Sequence, residues 1–381
     1  MPSTRQEICR STAQKLNAAL PTIGSIKATV GFDGFVDEII AVVDKRHDFE
    51  RFDPVRTISA LGGKITAAAG QSSNYELIVK QMKLGGNGPI MANALAAAGL
   101  GVTYVGNLGY PTVHQVFAEF ASRSTVISIG EPGHTDALEF DDGKVMLGKI
   151  TAMNDVNWDN LVARVGEAKL KSLLSSSQLV ATVNWTMLPH MSAVWKKLLE
   201  HGVPSRAGQS RILFVDLADP EKRNIEDIRE AMDLLSQFQK QVDVVLGLNL
   251  KEAGEICHVL DLPISGNPEA QIEPIARAIR EKLDLSCVVV HPRRGAAAAT
   301  KTESGAFAGP FVQQPKISTG AGDHFNAGFC LGRVLGLNLE ESLCTGCATS
   351  GFYVRTAKSP TAKELAEFVA VLPEPQYPLN S

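Results

Sequence analysis

Ile212-Leu-Phe-Val-Asp216 and Val242-Asp-Val-Val-Leu246 are two short apolar runs, and Ile225–Phe238 between them carries a helical pattern. Strand, helix and strand in that order make a βαβ unit, whose strands lie parallel and are covered on both faces. The pattern continues in both directions. Upstream, Leu179-Val-Ala-Thr-Val183 precedes a helical segment around Ala193–Leu199; downstream, a helix from Lys251 and another at Ile275–Leu283 lead to Cys287-Val-Val-Val290. Met91–Ala98 adds a helix whose alanines permit close packing on the same sheet. The fold class is therefore α/β with a mostly parallel sheet.

Two stretches break the alternation. Residues 35–60 and 124–151 are β-rich; the second contains Thr125-Val-Ile-Ser-Ile129 and the turn Asp141-Asp-Gly-Lys144, with strands Leu138–Phe140 and Lys144–Leu147 on its flanks. That turn predicts a hairpin. With no internal repeat and no low-complexity linker, the chain reads as one doubly wound domain over residues 1–381. A small β lid is drawn from about 33–62 and 124–151.

Bulk composition excludes several classes. Lys plus Arg number 37 against 41 Asp plus Glu, a net charge of −4, so no electrostatic footprint points to nucleic acid or an anionic membrane. The N-terminal segment through Ile8, Thr12, Leu16 and Ala19 has the spacing of a short surface helix rather than a signal peptide. No window approaches the ~20 apolar residues of a membrane span. A cytoplasmic protein is the expectation. Six cysteines form no disulfide framework, and the lone pair Cys344-Thr-Gly-Cys347 is read as small buried residues on one helical face.

Three segments carry chemistry. Ser318-Thr-Gly-Ala-Gly-Asp323 precedes Phe325, Phe329 and Leu331 at helical spacing. Small residues at a helix start let free backbone N–H groups approach an anion, and the helix dipole adds to the attraction. Asp323 would then stand at the mouth of an anion site; its alternative role is a helix N-cap, worth ~1 kcal/mol. Lys83-Leu-Gly-Gly-Asn-Gly88 suits a turn at a strand end that offers backbone and the Asn87 amide to a polar ligand. Asn249-Leu-Lys-Glu252 fits a capping box, and equally an amide and a carboxylate placed near phosphates, where magnesium retains its waters.

Taken together, Gly85-Gly-Asn87, Asn249–Glu252 and Gly320-Ala-Gly-Asp323 resemble, in order and spacing, the ribokinase-like (PfkB) family of carbohydrate and nucleoside kinases. The resemblance spans nearly the whole chain. It implies a ribokinase-like three-layer sandwich whose β lid closes over the acceptor, with ATP as co-substrate and Mg²⁺ as cofactor. It gives Asp323 the part of the base that deprotonates the acceptor hydroxyl. Backbone amides of Gly320, Ala321 and Gly322 become the anion hole. Asn249, Glu252 and Thr319 fall to the nucleotide and phosphate side, with Glu252 reaching the metal through water. Asp37 best matches the acceptor-binding Asp, with Asp33 as its substitute and Gly86 and Asn87 beside them. Such chemistry needs in-line positioning and charge neutralisation more than covalent help. The partners implied are a small sugar or nucleoside and, through the lid, a second copy of the chain.

Several positions depart from the family. Ile317 stands where a carboxylate often helps hold a monovalent cation, so weak or no potassium stimulation is expected. Ile90 stands where a second Asn often reaches the sugar, and His291-Pro-Arg-Arg-Gly295 replaces a common Thr-Leu-Gly. The acceptor is expected to be a sugar, with a nucleoside as alternative. A non-catalytic nucleotide-binding protein is the reading from another class, opposed by the retained Asp323. His324 is expected to face solvent and Trp185 to pack in the core. Asp216 and Asp219, after a strand's carboxyl end, suit ligand or turn roles alike.

Overall fold

The computed structural model describes residues 4–201, 211–264 and 266–375. Its large sheet has nine strands. In spatial order they are Ser304–Ala308, Gly295–Thr300, Cys287–Val290, Asp243–Leu248, Ile212–Asp216, Leu179–Thr182, Lys27–Phe32, Gly101–Gly106 and Thr125–Ser128. All neighbours pair in parallel except the last two strands at the Ser304–Ala308 edge, which return antiparallel.

Side chains one apart along a strand point to opposite faces, so a strand covered on both faces feeds two cores. Phe214 joins one apolar cluster while Leu213 and Val215 join the other; Val289 and its neighbours Val288 and Val290 divide in the same way. This is why these strands read as continuous apolar runs. Helices on each face complete three layers. No helix among the described residues is long and apolar enough to cross a membrane.

A second sheet of five strands rises from one end: Phe52–Pro54, Phe35–Arg46, Gly133–Phe140 and Gly143–Lys149, with Leu77–Gly85 pairing antiparallel on Phe35–Arg46. The predicted hairpin is present, its strands longer than the sequence suggested, with Phe140 opposite Gly143. Two boundaries of the expected lid require correction. Thr125–Ser128 is the edge of the large sheet, parallel to Gly101–Gly106. Its alternation comes from lying at an edge, half covered, and not from membership of the lid. Conversely, Leu77–Gly85 is a lid strand outside the expected ranges. The lid has a small core of its own around Ile40, Val42, Val55, Leu61 and Leu138.

Asp33, Asn184, Asp216, Asn249 and His291 each follow or end a parallel strand of the large sheet. Carboxyl ends of such strands form the crevice where open α/β sheets bind ligands.

Candidate active site

Gly320 opens the helix Ala321–Val334 in a left-handed conformation, φ 88°, which a side chain would oppose. The N-cap is therefore Gly320, and the capping alternative for Asp323 is set aside. Asp323 lies in the first turn, buried, and its carboxylate accepts from Asn87 Nδ2 at 2.9 Å. Burial pushes its pKa up to about 8; the Asn87 amide opposes that, and the charges of Asp33 and Glu252 add to it. Ala321 N–H donates to Ser318 O at 3.2 Å, so it closes the turn, whereas the N–H groups of Gly320 and Gly322 have no protein partner among the described residues.

Asn249 and Glu252 form a full capping box. Asn249 Oδ1 accepts from Glu252 N–H at 3.0 Å, and Glu252 Oε2 accepts from Asn249 N–H at 2.8 Å. Glu252 also accepts from Asp219 N–H at 3.0 Å, which leaves the buried carboxylate held rigidly beside the crevice. Asp216 shares that space. Burial, then the like charges of Glu252 and Asp323, raise its pKa well above the usual carboxylate range. It accepts from Ala218 N–H at 2.9 Å and from Asn326 Nδ2 at 2.7 Å. So Asp216 fills the turn role and faces the crevice as well, while Asp219 is tied to Lys251 and Lys222.

A cavity of about 460 Å³ opens over these groups. Asn87, Asn249, Glu252, His291, Arg293 and Asp323 are among its polar lining residues, and Phe311, Pro315 and Val354 among its apolar ones. His291 stacks on Phe325 with ring centres 4.6 Å apart, and burial lowers its pKa to about 4, so the ring is neutral.

On the acceptor side the two candidate aspartates separate. Asp33 is fully buried and its carboxylate is satisfied from within: Asn87 N–H at 3.0 Å, Gly88 N–H at 2.9 Å and Asn184 Nδ2 at 2.7 Å. It builds the Gly86-Asn87-Gly88 turn. Gly86, φ 92°, is the N-cap of helix Asn87–Ala97. Asp37 lies on the lid strand opposite Lys83 and beside Thr135. Burial raises its pKa, against a hydrogen bond from Thr135 and the nearby Lys83 charge. A Cβ on Gly85 would lie 2.3 Å from Asp37 Oδ1, so only glycine admits the carboxylate there.

Some expectations change. His324 does not face solvent. It is 2% exposed, stacked on Tyr353 and bonded at both ring nitrogens, because internal partners replace water. Ile90 packs instead against the phosphate turn, with its Cγ2 3.3 Å from where a Gly320 Cβ would stand. Trp185 is buried in the core and Cys344 and Cys347 are buried on their helix, as expected. Sequence reasoning gave no role to Asn326, Tyr353 or Asn184, because each acts on a residue far away in the chain.

A model of the prokaryotic ketohexokinase family matches residues 4–371. A ketohexokinase from Haloferax volcanii is 29% identical over 370 residues, covering 96% of this chain and 97% of that protein. Among solved structures, a carbohydrate kinase from Agrobacterium tumefaciens superposes with a TM-score of 0.61 at 17% identity, covering 92% of this chain and 98% of that one. Arabidopsis thaliana ribokinase complexed with ribose and ATP gives 0.60 at 17% identity, covering 90% and 98%.

Proposed function

The chain belongs to the prokaryotic ketohexokinase family and is an ATP-dependent sugar kinase, and from that premise we propose that its acceptor is a ketohexose deprotonated by Asp323. The observation that carries this reading is the 2.9 Å bond from Asn87 to Asp323. Asn87 directly follows the lid strand Leu77–Gly85 and its turn, so the base stands where the lid meets the large sheet. ATP occupies the 460 Å³ cavity, whose lining includes Asn87, and the sugar is held by Asn87 together with Gly86 and the lid's Asp37.

In this mechanism Asp323 takes the proton of an acceptor hydroxyl as its oxygen attacks the γ-phosphorus. The bond from that phosphorus to the ADP oxygen breaks in line. Charge on the moving phosphoryl group meets the N–H groups of Gly320 and Gly322 and the positive end of their helix, with Ala321 shaping the turn. A carboxyl group with a raised pKa is a stronger base once ionised, which suits it to this proton. Asn249 and Thr319 frame the phosphate side.

Magnesium fits the donor set. Asp216 and Glu252 are buried acids whose pKa values burial raises, the Glu252 charge adding to the shift at Asp216 and the Asp219 charge to that at Glu252, and Asn326 Oδ1 is a buried acceptor without a partner. These groups would hold the ion, Glu252 through water, and the ion supplies charge neutralisation for the ATP phosphates. A nucleoside acceptor loses its main support, since Ile90 packs against the turn. Two copies pairing through the lid are supported by the exposed Leu77, Val79, Met82, Met146 and Leu147 on that sheet.

The test is product formation from ATP over a panel of ketohexoses, aldoses and nucleosides, with and without Mg²⁺. Magnesium-dependent phosphorylation of a ketohexose at the highest kcat/KM is expected. A nucleoside as best acceptor overturns the assignment.

A further inference from the structure

The Thr319–Gly322 turn is glycine-rich, and glycine loses more backbone entropy on being fixed than any other residue. It is braced from behind. The Tyr353 hydroxyl donates to Thr319 O at 2.9 Å. His324 Nδ1 lies 2.7 Å from Gly320 O, and a carbonyl only accepts, so Nδ1 carries the proton. With the proton on Nδ1, Nε2 accepts from the Ser359 hydroxyl at 2.9 Å. Ser359 Oγ accepts in turn from Asn93 Nδ2 at 3.4 Å. The His324 and Tyr353 rings stack with centres 3.6 Å apart and planes 14° apart. Four side chains from three helices and a loop thus converge on two backbone carbonyls.

A peptide unit is planar and trans, so its C=O and N–H point in opposite directions. Holding the Thr319 carbonyl from behind aims the Gly320 N–H forward, and that N–H is one of the two in the turn without a protein partner. Holding the Gly320 carbonyl fixes the next peptide, whose N–H closes the turn on Ser318. A donor stabilises a transition state well only when it is oriented before the reaction.

We propose that Tyr353 and His324 are positioning residues for phosphoryl transfer: they touch neither substrate, Tyr353 aims the free Gly320 N–H at the moving phosphoryl group, and His324 holds the turn closed behind it. This rests on the phosphotransfer reading above. A purely structural role would show in the melting temperature and leave turnover per folded molecule intact.

The experiment is Y353F, which keeps the ring stack and removes one hydroxyl. Loss of a whole oxyanion donor costs ~10²–10³ in kcat, so loss of the group that aims one is expected to lower kcat about tenfold, with both KM values unchanged. Binding of ADP with aluminium fluoride and sugar, a mimic of the transferring group, should weaken by a similar factor while binding of ADP alone holds. H324N, which retains a donor at the Nδ position, should keep most of the turnover that H324F loses. Wild-type kcat in Y353F, or a loss confined to KM or to melting temperature, overturns the proposal, and Y353F alone decides it should H324F not fold. A wild type inactive on every sugar would sink the kinase reading instead, so the two failures are distinct.

Discussion

The proposed phosphate end and the proposed acceptor end of this site are built differently. At the phosphate end, Asp216, Glu252 and Asp323 are buried on the large sheet and its helices, and each carboxylate is held by backbone N–H groups or an amide. Two extensive cores lie beneath them. The acceptor end is a thin sheet with a core of five fully buried residues, and three residues of its edge strand, Leu77, Val79 and Met82, are 42–52% exposed. At about 1.5–3 kcal/mol per buried side chain, the lid is secured by a small fraction of what secures the phosphate end. In the proposed mechanism, rigidity is thus concentrated where charge develops, and the loosely anchored part is the one that meets the acceptor.

The largest effect that tests this contrast is at its rigid end. Asp323→Asn should lower kcat ~10²–10⁴-fold with ATP binding retained. It should also raise the melting temperature. With a folded-state pKa of about 8 against an ordinary 3.8, the unfolded chain gives up this proton first, so stability falls as pH climbs between those values, and Asn removes that loss. For the wild type, kcat/KM should fall as pH drops through about 8, because protonation removes the base. Near-normal turnover in the variant would refute the mechanism.

The two aspartates give the next effect. Asp33→Ala strips partners from two backbone N–H groups and from Asn184, each left unsatisfied at about 1–3 kcal/mol, so the melting temperature should drop sharply. Asp37→Ala should fold normally and raise the acceptor KM roughly tenfold, about 1.4 kcal/mol, with the KM for ATP unchanged. If Asp33→Ala is stable and impaired only in acceptor binding, their roles are reversed. The smallest effect belongs to the lid's outer edge. Met82→Arg should shift sedimentation from dimer to monomer and leave kcat intact; wild type that sediments as a monomer dismisses pairing through the lid.

Strands such as Ile212–Asp216 were legible because both their faces are covered and the whole run is apolar. The lid strand Leu77–Gly85 was not: it lies at a sheet edge and its register shifts opposite Ile39 and Ile40, so no clean alternation survives. The local motifs of the site were equally readable, from Gly320 to Asp323 and from Asn249 to Glu252. What joins them was not. Asn87 and Asp323 are 236 residues apart, His324 and Ser359 are 35 apart, and only folding makes them partners. A histidine at a first helical turn looks solvated until its internal partners are known.

Across the lid, Lys83, Asp37 and Thr135 stand side by side in one row on neighbouring strands. For enzyme engineering this row is a module. Its residues are borne by a sheet with its own small core. Under the proposed roles, substrate range is the property to redraw there by combinatorial substitution, at Lys83 and Thr135 before Asp37, whose charge also reaches Tyr353. Asn87 marks the limit of that freedom, since its backbone N–H holds Asp33 and its side chain holds Asp323, so any library that varies it alters the proposed base as well.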